Sequence, residues 1–298
     1  MSQPTIHATS PSNVPAKEAS GPWRDAWRAF RKNKTAMLGL GIILFFVMIA
    51  LLAPWIAPYD YKEQELVNRL KPPSAQHWLG TDDLGRDLFS RLIYGARISL
   101  WVGFFSVIGS MIAGTILGVL AGFYGKWIDM LISRMFDILL AFPSILLAIA
   151  IVAILGPSLQ NALYAIAIVN IPTYGRLVRA KVLSLRTEEY ITAARAIGMK
   201  DSRILITHIL PNSLTPIIVQ GTLGIAHAII EAAALGFLGL GAQPPDPEWG
   251  KILSDSRQFI QKAPWTVIFP GLSIMLTVLG FNLIGDGLRD VLDPRMKK

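Results

Sequence analysis

Long apolar runs without a formal charge alternate with short charged segments along most of this chain. Residues 35–59, 98–125, 138–175, 204–230 and 263–285 contain no Asp, Glu, Lys or Arg. A helix needs about 20 mainly apolar residues to cross a bilayer, so four of these runs each predict one span. Residues 138–175 are too many for one helix and are interrupted by Gly156-Pro157-Ser158, which predicts two spans joined by a tight turn. The first of that pair is expected to start near Ile128 and to carry Asp129, Arg134 and Asp137 at its mouth. The pattern predicts an all-α membrane protein with six transmembrane helices.

The polar segments divide the chain further. Residues 1–21 are rich in Ser, Pro, Thr and Ala and predict a disordered tail with no cleavable signal peptide. Residues 22–34 place Trp23, Trp27 and Phe30 at helical spacing among Arg24, Arg28, Arg31 and Lys32. That spacing reads as an amphipathic helix on the membrane surface, or as a basic flank that orients the first span. The first span covers 35–58, an external segment 59–97, a core 98–290 and a short tail 291–298. In the external segment Thr81 or Asp82 is expected to cap a helix. Asp82, Asp83 and Asp87 lack the ligand spacing and glycine of a calcium loop.

Composition agrees with a membrane chain: 52% of the 298 residues are apolar, 16% are charged, and mean hydropathy is +0.47. Without cysteine there is no disulfide framework, thiol nucleophile or cysteine zinc site. The net charge of +8 is mostly topology. Nineteen of the 28 Lys and Arg fall in the two termini and the segments after the second and fourth expected spans, and nine in the remaining loops. The positive-inside bias therefore predicts that both termini face the cytoplasm. No basic patch with interleaved aromatics occurs on a soluble segment, which excludes nucleic acid as a partner.

Candidate chemistry is sparse. There is no GxxxxGK[ST] loop for nucleotide phosphates, no HExxH and no GxSxG, and the four histidines are scattered. Gly114, Gly118 and Gly122 form a stripe for close helix packing. Pro172 predicts a kink beside Asn170, a group that could line a pathway or simply sit at a bend. Gln220, His227 and Glu231 share one face of the fifth span. Glu231 lies about 28 Å along that helix from Asn212, at about 1.5 Å per residue. That places it at a wetted pore mouth or at the outer end of the span. Pro244, Pro245 and Pro247 predict an extended turn, and Trp249 and Trp265 bracket a short external helix, a possible cap over the pathway.

One segment stands apart. Residues 187–211, TEEYITAARAIGMKDSRILITHILP, set a charged, small-residue stretch between two apolar runs on the expected cytoplasmic side. Thr187 is expected to cap a helix with Glu188 and Glu189 in its first turn, and Gly198 to end it. Tyr190, Ala194 and Ile197 fall on one face, bordered by Ile191 and Ala193. Such a helix either folds back on its own spans or offers a docking face. A second helix is expected from Asp201 or Ser202 through Pro211 into the fifth span.

The segment resembles the EAA loop of bacterial ABC importer permeases, with Thr192-Ala193-Ala194, Gly198 and Leu210-Pro211 at the family's spacing. Thr192 stands where the pattern has an acid, and His208 where it has an isoleucine. HWLGTDDLGRDLFSRLIYGARISL, GFLGLGAQPPDPEWG and GDGLRDVLDPR resemble the C-type permease subunit of the dipeptide and oligopeptide branch, so that the likeness runs from about Trp23 to the C-terminus. The resemblance implies a type I importer transmembrane domain in the bacterial inner membrane, working as a heterodimer with a second permease. Two cytoplasmic ATPase subunits and an extracytoplasmic substrate-binding protein would complete it. By the same resemblance the chain is not an enzyme and binds no cofactor, ATP and Mg being used by the ATPase subunits. Its coupling helix would dock through Glu188, Glu189, Tyr190, Ala193, Ala194, Ile197 and Gly198, with Leu210-Pro211 behind it. Asn170, Gln220, His227 and Glu231 are pathway candidates. Nickel chelates are an alternative cargo, and a secondary transporter or channel without ATPase an alternative class.

Overall fold

The computed structural model describes residues 22–292, so the expectations for 1–21 and for the last six residues lie outside the described part. Helices α1 (Pro22–Lys32) and α2 (Lys34–Ile56) meet at Asn33. The Asn33 side chain accepts from the backbone N–H groups of Thr35 and Ala36, both at 3.1 Å, and so restarts the helix in a new direction. Helix α3 (Leu88–Tyr124) spans 37 residues, ten more towards its start than the charge-free run suggested. Asp87 caps it by accepting from the Ser90 N–H at 2.8 Å. Thr81 and Asp82, the expected caps, do other work. Thr81 accepts from the Lys71 N–H at 2.9 Å, and Asp82 gathers the N–H groups of Leu84 and Arg86, both at 2.9 Å, while pairing with the Arg86 guanidinium at 2.6 Å. Asp82 and Asp87 are thus absorbed by a turn with an ion pair and by a cap, and Asp83 faces the Arg86 guanidinium at 3.8 Å.

Six spans were expected, one of them kinked at Pro172; by length and apolarity alone four of the described helices, or five with one bent pair, meet the requirement. By length and apolarity α2, α3, the continuous helix Asp201–Phe237 and α11 (Trp265–Leu292) can each cross a membrane. The expected third span is two helices, α4 (Lys126–Leu140) and α5 (Ser144–Leu155), bent by 91°. Pro143 explains the break: it has no N–H to donate and disfavours helical backbone at Phe142. Helix α6 (Leu159–Leu185) follows the expected turn, with Gly156 in left-handed backbone (φ 92°) and Ser158 accepting from the Asn161 N–H at 3.1 Å. It falls short of the others in apolarity because it carries Gln160, Asn161, Asn170 and three basic residues.

Helix α6 is instead the inner helix of the bundle, and α3 is its main neighbour. The glycine stripe of α3 makes this possible. A Cβ on Gly114 would sit 2.7 Å from the Ile171 carbonyl oxygen, and one on Gly118 2.5 Å from that of Gly175. Opposite ends of α4 are fastened to α6 by ion pairs. Asp129 takes Arg179 in a two-point contact, and Asp137 takes Arg176 at 2.5 Å.

Between α6 and α11 the chain forms α7 (Glu189–Ala196), the one-turn α8 (Asp201–Ile204), a π-helical turn Leu205–Ile209, and α9 (Leu210–Phe237). Helix α10 (Trp249–Ser256) seats on α9 and α11 at the end of the bundle away from α7. Its Trp249 is fully buried, donates to the Leu92 carbonyl at 3.0 Å and meets Phe46 edge-on at 5.5 Å. Glu248 caps α10, accepting from Gly250 and Lys251 N–H at 2.9 and 2.8 Å.

Candidate functional site

Two places carry the polar residues singled out in the sequence. The first is α7. Its start differs from expectation: the Thr187 hydroxyl donates to the Ser184 carbonyl at 2.9 Å and caps nothing, and Glu188 is the capping position, through its backbone alone. Glu189 opens the first turn, where its charge complements the helix dipole. The end is as expected. Gly198 adopts φ 81°, its N–H reaches the Arg195 carbonyl at 2.9 Å, and the Met199 N–H reaches that of Ala194 at 3.0 Å. This pair of bonds is the Schellman arrangement that closes a helix on a glycine.

The faces of α7 are not those inferred from spacing. Ile191 and Ala194 are buried, in one apolar cluster with Phe123 at the end of α3, Val178, Val182 and Leu185 of α6, and Ile217 of α9. Tyr190, Ala193 and Ile197 are exposed, Ile197 to 79%, beside Glu188 and Glu189. Tyr190, Ala194 and Ile197 therefore do not form a common surface: Ala194, about 40° round the helix from Tyr190 on the side of Ile191, is covered while the other two are not. The two alternatives for this helix are both realised, one on each side. Arg195 lies over the Phe123 ring at 5.1 Å, and Tyr190 meets the His208 ring edge-on at 5.9 Å. His208 belongs to the π-helical turn, and Leu210 and Pro211 follow it in α9, both exposed. The inner side of α7 thus shares one apolar cluster with the ends of α3, α6 and α9.

The second place lies between α6 and α9. The Asn170 amide donates to the Ile166 carbonyl at 2.9 Å and to Glu231 Oε2 at 2.8 Å. Ser144, the first residue of α5, lies beside Glu231. Asn170 is eleven residues into α6 from the Gly156–Ser158 turn, and Ser144 eleven residues from the same turn along α5. At about 1.5 Å per residue both stand roughly 16 Å below it. Glu231 stands beside them, six residues, or about 9 Å, before the end of α9 at Phe237. His227 is exposed one turn from Glu231 on the same face. Gln220 lines a cavity of about 530 Å³ farther along that face, with Leu177 and Lys181 of α6, Val219, and Arg289 and Leu292 of α11. Sequence reasoning missed Ser144 and the partner role of Tyr174, whose side chain packs on Gly224 below Glu231. Pro143 was the available signal, since a restarted helix exposes its first residue.

Comparisons with known proteins agree with this architecture. The family described as binding-protein-dependent transport system inner membrane component matches residues 114–298, and the N-terminal TM domain of oligopeptide transport permease C matches residues 21–73. The dipeptide transport system permease protein DppC of Alkalihalophilus pseudofirmus is 68% identical over 98% of this chain and 96% of its own. The di/tripeptide transport system permease protein DppC of Pseudomonas aeruginosa is 52% identical over 96% and 97%. A glutathione transport system permease protein, GsiD of Pectobacterium atrosepticum, is 50% identical over 94% of each. Among solved structures, an inward-facing MetNI methionine ABC transporter chain superposes with a TM-score of 0.56, covering 67% of this chain and 96% of that one at 21% identity. At that identity the likeness concerns the fold.

Proposed function

Since this chain belongs to the family of inner-membrane components of binding-protein-dependent transport systems, we propose that it forms one half of the translocation pathway of an ATP-driven importer of dipeptides and short oligopeptides. Its peptide cargo follows the names of its 68% and 52% identical relatives. A second, different permease subunit forms the other half. Two ATPase subunits and an extracytoplasmic binding protein complete the system, with both termini of this chain in the cytoplasm. The chain itself is non-catalytic and binds no cofactor, and ATP and Mg act on the ATPase subunits.

The observation that carries this reading is the two-sided α7. Its inner side, Ile191 and Ala194, is locked to the ends of α3, α6 and α9. Its outer side leaves Tyr190, Ala193 and Ile197 uncovered. A helix of eight residues is too short to persist alone, so its position is set by whatever packs on it. An ATPase groove closing on the outer side would move α7 as a lever, and the inner side would pass the motion to the spans. Asn170, Gln220, His227 and Glu231 then lie along the pathway that this motion opens and closes.

Ala193→Arg tests the docking. Ala193 is exposed, so the variant should insert and fold as the parent does, while the long charged side chain keeps the two surfaces apart. Co-purification of the ATPase subunits should fall on the order of tenfold or more, and peptide uptake with it. Undiminished uptake by a stably inserted Ala193→Arg complex would overturn the docking role.

A further inference from the structure

A carboxylate within a membrane-spanning helix is costly to maintain and is usually matched by a partner. Among the described residues no Lys or Arg pairs with Glu231. Its neighbours are the Asn170 amide, the Ser144 hydroxyl, Tyr174 of α6, and His227 on its own helix. None of these carries a permanent positive charge. The side chain is only partly buried, and its face of α9 continues through exposed His227 to Gln220 and the 530 Å³ cavity. An ionised carboxylate offers about four acceptor positions, and the bond from Asn170 leaves room for a cation bearing several donors.

We propose that Glu231 is the site in this pathway that receives the α-ammonium group of a passing peptide, with Asn170 holding the carboxylate in place for it. This rests on the peptide-importer reading given above. The chemistry suits that role. Every unblocked peptide presents one ammonium group whatever its side chains are, so a single fixed anion serves many cargoes. The ammonium group has three donors and no acceptor, which complements the open carboxylate lone pairs. A weak, single-point contact also suits a pathway, since a group held at several points would be slow to leave. The cationic residues Lys181 and Arg289 sit in the cavity towards the α7 end, so the face changes sign along its length from Glu231 to that cavity.

The test uses the purified complex of the two permease and two ATPase subunits, without the binding protein, whose own selectivity would otherwise mask that of the pathway. Binding is measured by equilibrium dialysis for three probes: alanyl-alanine, its C-terminal amide and its N-acetyl derivative. The parent complex should bind the first two within about threefold of each other and the N-acetyl probe about tenfold or more weakly, the range of one lost charge-assisted hydrogen bond. In Glu231→Gln the three probes should converge to the weak value, while Glu231→Asp keeps part of the preference. Equal binding of all three probes to the parent complex would overturn the ammonium site and leave the peptide reading standing. So would a Glu231→Gln complex that still discriminates against the N-acetyl probe. A parent complex that binds none of them at millimolar concentration, yet drives uptake of another solute, would remove the peptide reading as well.

Discussion

Ala193 and Ala194 are adjacent, equally small, and opposite in consequence. Ala194 is 6% exposed in the cluster under α7, so Ala194→Arg would force a guanidinium among Ile191, Val182 and Ile217. Burying an unpaired charge costs several kcal/mol, which exceeds what an eight-residue helix can hold, so α7 should detach. Limited proteolysis should then cut residues 187–200 in Ala194→Arg and spare them in Ala193→Arg; equal protection in both would contradict this assignment of faces. Spacing alone put Ala194 with Tyr190 and Ile197 because it shows which residues share a face but not which face turns inward. That is decided by Phe123, Val178 and Val182, the first of them 71 residues before Ala194. Glu248 makes a separate residue-scale prediction. Complete burial raises its carboxyl above the ordinary value of 4.5, against the opposing pull of its hydrogen bonds from Gly250, Lys251 and Ser99. The folded state therefore binds this proton more tightly than the unfolded chain, and the stability due to it is present below about pH 4.5 and lost as pH rises through the elevated range. Melting curves of the parent should decline relative to those of Glu248→Gln across that interval; parallel curves would contradict the shift.

Elements are set by how closely their backbones approach. The stripe Gly114, Gly118 and Gly122 was legible as a packing surface, and the structure gives it α6 as its partner. Gly118→Ala would place a methyl group 2.5 Å from the Gly175 carbonyl, a backbone atom that cannot step aside. The expected loss is about 1–3 kcal/mol, read as a lowered melting temperature in detergent, and an unchanged melting temperature would show the α3–α6 contact to be looser than described. Pro143 shows the opposite case. It lies in the middle of an apolar run, where hydropathy hides it, and the 91° break between α4 and α5 depends on one missing N–H. The same break sets Ser144 beside Glu231. This neighbour of Glu231 was therefore invisible to a search for charge or for polar periodicity. The caps followed a similar logic. Asp87 and Thr81 are equally good capping side chains, and only the fold of residues 59–87 decides which one meets a helix start.

In the molecule as a whole, α7 occupies one end and the bend at Ser144 the middle, with α6 and α9 running between them. The π-helical turn Leu205–Ile209 lies at the junction of α7 and α9, where its His208 touches Tyr190. If an ATPase subunit docks on α7 as proposed, motion imposed there reaches Asn170 through α6 and Glu231 through α9, and α7 is the place where work enters the bundle. The chain has no cysteine, so a single Ile197→Cys carries the only thiol of this subunit, at a position 79% exposed. Cross-linking from that thiol in membranes, with a short bifunctional reagent, tests the claim most directly. The account predicts a product joining this chain to an ATP-binding subunit whose yield changes when ATP is added. A cysteine at 197 that never cross-links to an ATP-binding subunit, in membranes that still import peptide, would contradict it.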